Sequence, residues 1–240
     1  MSAAAVKETT LLLVRHGETT WTRVGRIQGR ADSPLHPDGA AQIRALAATL
    51  LPPDPEWPGG RACLLVSSPL RRAVDSARVL RASLGPAIRG ARLAAPDPRL
   101  AELDFGAWEG LTQPEVKARW PELLRSWKRQ PDTVRLPGGE TLAEARDRWR
   151  DFLAHPPWAH PPWAHPPWAH RPWAHPSWAK DAPPALAIVV THAAMIRIAL
   201  LEAAGAALGG FRAVAVPVAS AHRLRLAAGR AYPAAEAGPR

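Results

Sequence analysis

Short apolar runs alternate with stretches of helical spacing along most of this chain, and that alternation restricts the fold more than any other feature. Residues 10–14 (TLLLV), 62–67 (ACLLVS) and 185–191 (ALAIVVT) are unbroken apolar runs of strand length. Such runs suit strands covered on both faces. Between and after them lie helical segments. Residues 37–50 place Ile43, Leu46, Ala47 and Leu50 at helical spacing behind Pro37; residues 70–84 form an amphipathic stretch closed by Gly85; residues 114–128 break near Pro121. Thr141 and Glu144 form a capping box that opens a helix to about Leu153, and a last helix is expected over 194–204. A weaker strand is expected around 87–93, and final strands, read as antiparallel, over 214–218 and 222–226. Strands alternating with helices predict an α/β fold, a three-layer αβα sandwich with a mostly parallel central sheet.

One segment breaks the pattern. Residues 155–179 read HPPWA, HPPWA, HPPWA, HRPWA, HPSWA, five copies at a period of five. A proline or two in each unit forbids helix and central strand and favours polyproline II. At about three residues per turn, a five-residue step rotates each successive Trp by roughly 240°, so neither the His nor the Trp side chains line one face. The expected organisation is therefore one domain over 1–240 carrying a repeat expansion at 155–179.

Composition narrows the function classes. The chain has 240 residues and a net charge of +10, and all but four of its 31 basic residues are arginine. The arginines are scattered, acidic residues are interleaved from Glu102 to Glu144, and there is no basic arm or tail. That distribution argues against nucleic acid and against a membrane surface, and favours a small anionic substrate. No apolar run approaches the ~20 residues that span a bilayer. The opening MSAAAVKETT lacks the features of a secretory signal, and the lone Cys63 excludes a disulfide framework; a cytoplasmic protein is expected. No oligomeric state is read from the sequence.

In a parallel sheet, ligands gather beyond the carboxyl ends of the strands. Three polar motifs fall there: Arg15-His16-Gly17-Glu18-Thr19 after the first strand, Ser67-Ser68-Pro69-Leu70-Arg71-Arg72-Ala73 after the second, and Thr191-His192 after the strand that follows the repeat. A fourth, running from Leu100 through Glu102 to Gly110, lies in a loop. Two histidines, two or three arginines and a carboxylate suit phosphoryl transfer through a covalent histidine. A neutral imidazole is nucleophilic at pH 7 when its other nitrogen is held. Guanidinium forks match the phosphoryl oxygens, a second, protonated histidine can donate to them, and a carboxyl of raised pKa can protonate the leaving alkoxide. No metal or cofactor is expected, since paired Cys/His spacings and HExxH are both missing.

At these residues the sequence resembles the histidine phosphatase superfamily, with its phosphoglycerate-mutase-like fold. The resemblance covers nearly everything from Leu11 to about Leu201 except the repeat. It implies that His16 is the phosphorylated nucleophile, Arg15 and Arg72 the phosphate clamps, Glu102 the proton donor and His192 the second histidine of the phosphate pocket. Gln28 and Gly29 match the loop that borders the substrate, and Gly138-Gly139-Glu140-Thr141 a GGES-like start of a helix. Two positions depart from the pattern: Thr22 stands where Asn usually contacts phosphate, and Ala193-Ala194 replaces a commoner Gly-Gly, a change expected to push backbone amides from the pocket.

The implied activity is that of a metal-independent phosphomonoesterase, with no cofactor, acting on a small phosphorylated metabolite, either α-ribazole-phosphate-like or of broad specificity. The alternatives are a cofactor-dependent phosphoglycerate mutase and a non-catalytic protein that binds a phosphorylated ligand or displays the repeat. Near Glu102, Asp104 and Glu109 compete for the acid role. Arg26, Arg30 and Arg135 are read as a solvated face or a basic rim, Trp21 and Trp108 as packing or cleft walls, and His36, His222 and Cys63 as structural.

Overall fold

The computed structural model describes residues 8–50, 63–85, 92–158, 184 and 186–234. Its centre is β1 (Thr9–Arg15), whose alternate side chains enter two separate cores. Leu11 and Leu13 join one, Leu12 and Val14 the other. This is the period of two that a strand imposes, so an unbroken apolar run means cover on both faces. β2 (Cys63–Ser67) and β4 (Leu186–Thr191) are buried along their whole length in the same way.

With β3 (Arg92–Leu93), β5 (Ala221–Ala227) and β6 (Arg230–Pro233), the sheet has the order β3-β2-β4-β1-β5-β6. β1, β2, β3 and β4 run parallel; β5 is antiparallel to β1, and β6 to β5. The register sets Arg15 beside Thr191 and Ser67 beside Val190. Three motif-bearing strands therefore end side by side.

One face is covered by α2 (Pro37–Leu50) and α3 (Arg71–Leu84), through Ile43, Ala47, Ala73, Ala77, Leu80 and Leu84. The other packs against α4 (Gln113–Arg119), α5 (Pro121–Arg129), α6 (Leu142–Ala154) and α7 (Ala193–Ala203). α1 (Thr20–Arg23) is a single turn beyond β1. The sandwich thus has helices, sheet and helices in three layers. Local chemistry explains the boundaries. Capping boxes at Thr112/Glu115 and Thr141/Glu144 start α4 and α6, Pro121 separates α4 from α5, and Gly85, at φ 45°, ends α3. Trp127 at the heart of the larger core meets Phe105, Trp108 and Phe211 edge-on, with ring centroids 5.8–6.1 Å apart. Such contacts add about 0.5–1.5 kcal/mol each to the burial itself.

The C-terminal expectation is corrected. Residues 214–218 form no strand; the Val216 carbonyl accepts from Arg15 and the Val214 carbonyl from Arg197. The carbonyls of this segment thus face arginines where a strand would face a neighbour. Besides β1, β5 pairs antiparallel with β6, reached through a two-residue turn at Ala228 and Gly229, both at positive φ. Of the repeat, only His155–Trp158 is described: His155 caps α6, and Trp158 meets Phe152 edge-on at 5.9 Å. The remaining copies lie outside the described residues, as do most of the expected 87–93 strand and the start of the 185–191 run. Among the described residues, no helix is long and apolar enough to cross a membrane.

Candidate active site

The strand ends bring His16, Ser68, Arg72, Glu102 and His192 together, all buried. β1 delivers His16, whose backbone N–H donates to the Thr191 carbonyl at 3.0 Å, tying it to the end of β4. Its Nδ1 donates to the Gly17 carbonyl at 2.7 Å, so Nε2 carries the free lone pair. Burial, with Arg72 and Arg15 adding to it, lowers the His16 pKa to about 3. The ring is therefore neutral across the physiological range, as a nucleophile must be.

Gly17 and Gly39 make this turn possible. A side chain on Gly17 would overlap the Gly39 carbonyl, and one on Gly39 the Glu18 backbone. The RHGE turn and the first turn of α2 pass each other at backbone distance, while Ser76 on α3 accepts from the Gly17 amide at 3.1 Å.

His192 caps α7 at the end of β4, its ring centroid 5.1 Å from that of His16. The sequence expectation of a protonated donor needs correction. Burial foremost, then Arg72, His16, Arg15 and Arg148, hold its pKa well below the usual value. A neutral His192 can still donate. Ser68 Oγ lies 2.7 Å from its Nε2 and itself accepts from the Leu70 amide at 3.3 Å. When the hydroxyl donates to Nε2, the proton of a neutral ring sits on Nδ1. That Nδ1 has no partner among the described residues.

Arg72 is fully buried and holds the substrate-loop candidates by their carbonyls, donating to Gly29 at 2.6 Å and Ala31 at 2.7 Å. Its Nε and that of Arg15 have no acceptor among the described residues. Buried N–H groups of this kind are normally paired. Three unpartnered nitrogens among the described residues belong to neighbours of His16: Arg15 and Arg72, whose charges lower its pKa, and His192, whose ring lies 5.1 Å away. On the far side of the loop, Glu109 accepts from the amides of Arg30 and Ala31 and from that of Phe105. It therefore acts as a loop anchor.

Glu102 is the carboxylate the structure places with the histidines. Its Oε1 accepts from the amides of Leu103 at 3.0 Å and Ala194 at 3.1 Å. Burial raises its pKa, against the lowering by Arg72, the Leu103 amide, Arg15 and the Ala194 amide. The Ala193-Ala194 pair thus has its second amide engaged at the acid. Asp104 turns away and caps the Gly106 amide.

Thr22 and Gln28 are brought together. Thr22 Oγ1 accepts from Gln28 Nε2 at 2.9 Å and lies 2.9 Å from Thr19 Oγ1, inside the capping box of α1. Gly29 sits at φ 52°, and a side chain there would overlap the Glu109 carboxylate. The rim arginines are neutralised: Arg26 pairs with Glu115, Arg30 with Asp104 and Glu140, and Arg135 with Glu144. Glu140 of the glycine-rich turn also takes two bonds from Arg148, and Arg148 reaches the Arg99 and Ala101 carbonyls next to Glu102. Trp108 is buried and Trp21 half-buried.

The sequence model of the histidine phosphatase superfamily (branch 1) matches residues 11–235. The chain belongs to this superfamily. It is 33% identical to phosphoserine phosphatase 1 of Hydrogenobacter thermophilus over 143 residues, 60% of this chain and 62% of that protein. The matched stretch spans between 35% and 62% of the curated relatives' own lengths. Among solved structures, a mycobacterial hydrolase aligns with 91% of this chain and 92% of its own, at 27% identity and a TM-score of 0.67. A mycobacterial glucosyl-3-phosphoglycerate phosphatase, in a complex with VO3, aligns with 90% and 92% at 25% identity and a TM-score of 0.65.

Proposed function

We propose that this protein is a phosphohydrolase that cleaves small phosphomonoesters through a phosphohistidine at His16, without a metal ion. The observation that carries this reading is the His16 tautomer. Its Nδ1 proton is held by the Gly17 carbonyl, and the neighbouring Arg15, Arg72 and His192 each keep a buried nitrogen unpartnered among the described residues. His16 Nε2 attacks phosphorus in line with the ester oxygen, so the N–P bond forms as the P–O bond breaks. Arg15, Arg72 and neutral His192 donate to the equatorial oxygens, which carry the charge of the transition state.

Glu102, whose pKa burial raises, gives its proton to the leaving alkoxide. The resulting carboxylate then takes a proton from water as that water attacks phosphohistidine. Phosphate leaves, and His16 and Glu102 return to their starting states. The names of the relatives, phosphoserine and glucosyl-3-phosphoglycerate phosphatase among them, support the reaction class. The VO3 complex of one relative supports a pocket built for a phosphoryl-like anion. The arginines supply the positive charge that the reaction needs at this site, and neutral His192 a further donor.

The test is phosphate release from 4-nitrophenyl phosphate in EDTA, with wild type beside His16→Ala. Turnover that survives chelation and falls at least about ten-thousandfold in the variant is expected. Equal rates in the two proteins would overturn the reading. Activity on a phosphoglycerate only in the presence of its bisphosphate would point to a mutase.

A further inference from the structure

A cavity of about 270 Å³ is bordered by Phe105, Trp108, Trp127, Phe211, Arg197 and Arg212. None of these residues takes part in the phosphoryl transfer derived above. The cavity lining is nevertheless tied to the proton donor through sequence neighbours and through the charge of Arg197. Phe105 follows Glu102 by three residues, and Ile27, also on its wall, precedes Gln28. Arg197 lies one turn along α7 from the Ala194 amide that holds Glu102, and its charge reaches both Glu102 and Arg15.

The lining is specific. Three of its rings are set edge-on around Trp127, giving flat apolar walls. Trp108 is 1% exposed, and its indole N–H has no acceptor among the described residues. A buried donor left open in the wall of a cavity calls for a ligand acceptor. The arginines differ from those of the rim. Arg26, Arg30 and Arg135 each face a carboxylate, whereas Arg197 and Arg212 have no acidic partner among the described residues. Arg197 donates only its Nε to the Val214 carbonyl, with its guanidinium 5.3 Å from the Phe211 ring centre. The two cations lie close enough for Arg212 to lower the Arg197 pKa. Two adjacent cations without a salt-bridge partner among the described residues, over flat aromatic walls, form a site for a carboxylate on a planar or apolar body.

We propose that this cavity receives the alcohol portion of the phosphomonoester and selects alcohols that carry a carboxylate, with Arg197 and Arg212 as its partners and the Trp108 indole as an additional donor. The proposal rests on His16 as the phosphoryl acceptor, because that fixes the side on which the alcohol departs. It names a substrate class, carboxylated phosphomonoesters of small size, for a site that handles the phosphoryl group in the same way for every ester.

The experiment measures binding, so it does not depend on turnover. Calorimetric titration compares phenylphosphonate, 4-carboxyphenylphosphonate and 4-(aminomethyl)phenylphosphonate, none of which can be hydrolysed, on wild type, Arg212→Gln and Arg197→Gln. Arg212 is exposed, so its replacement does not threaten the core. The carboxylated ligand should bind wild type at least about tenfold more tightly than phenylphosphonate, as expected of a charge-assisted pair. The aminomethyl ligand should bind more weakly than either, and both arginine variants should reduce the carboxylate advantage to less than about threefold. Equal affinities for the three ligands, or an advantage that survives in both variants, would overturn the proposal. Phosphate release from phenyl phosphate, measured in parallel, reports on the phosphatase reading alone: its loss with the carboxylate preference intact would sink that reading and leave the cavity as a carboxylate site.

Discussion

Ser68 Oγ lies 2.7 Å from His192 Nε2, joining the end of β2 to the end of β4 across 124 residues of sequence. With the Ser68 hydroxyl as donor, the proton of a neutral His192 sits on Nδ1, from which the ring can donate to a phosphoryl oxygen. Ser68→Ala is expected to lower kcat about ten- to a hundredfold, the scale of one transition-state hydrogen bond. Its effect on folding stability should be limited to about 1–3 kcal/mol. Imidazole nitrogen chemical shifts check the cause: the wild-type ring should show protonated Nδ1, and the variant a mixture of tautomers. A variant that keeps the Nδ1–H tautomer and full kcat would remove Ser68 from the mechanism.

The pH dependence follows from two opposite perturbations. His16 is held neutral down to about pH 3, so on the acid side the nucleophile persists far below its ordinary range. Glu102 must be protonated to act, and its pKa is raised. Activity on alkyl phosphates should therefore fall as pH rises through the Glu102 pKa, and no loss due to His16 should appear between pH 5 and 7. Substrate ionisation near pH 6 affects every variant alike. Glu102→Gln should lose about 10²–10⁴ in rate on alkyl phosphates. It should lose less on 4-nitrophenyl phosphate, whose leaving group needs no proton. Equal losses on the two substrates would contradict the assignment of Glu102 as acid.

Gly39 belongs to no catalytic motif, yet it borders the His16 turn. Alanine is ordinarily preferred to glycine inside a helix by about 1 kcal/mol. Here its methyl group would overlap the Glu18 carbonyl. Gly39→Ala is therefore predicted to destabilise the fold by about 1–3 kcal/mol, the usual scale of overpacking, and to lower kcat by displacing the turn. Thermal melting and kcat measured on the same preparation check it. A variant more stable than wild type and fully active would show that the two backbones can separate freely.

Much of this architecture was legible in the chain because its signals are local. The Pro37 start, the Gly85 stop, the Pro121 break and the Thr141/Glu144 cap each act within a few residues, and each marks a boundary in the structure. The unbroken apolar runs indicated strands buried on both faces, and three such strands end at the motifs. What escaped was non-local. Residues 214–218 have strand-like apolar spacing, but Arg15 and Arg197 draw off their carbonyls, while β6 pairs through a turn at Ala228 that no glycine-first pattern marks.

The site shows the same division. The pairing of Thr22 with Gln28, the neutral state of His192 and the loop-anchoring role of Glu109 depend on burial and on partners distant in sequence. Ser68 stood within a motif, but its partner lies on another strand. Arg197 and Arg212 carried no signal, since an arginine becomes distinctive only when the acids around it are known.

The central claim is a covalent phosphoryl group on His16. Rapid acid-free quenching of the enzyme with labelled 4-nitrophenyl phosphate, followed by peptide mapping, tests it directly. The account predicts a base-stable, acid-labile phosphoryl label on the peptide containing His16, formed and discharged at rates that support kcat, and missing in His16→Ala. Full turnover without any label on that peptide, or a label that moves to another residue while turnover continues in His16→Ala, would contradict it.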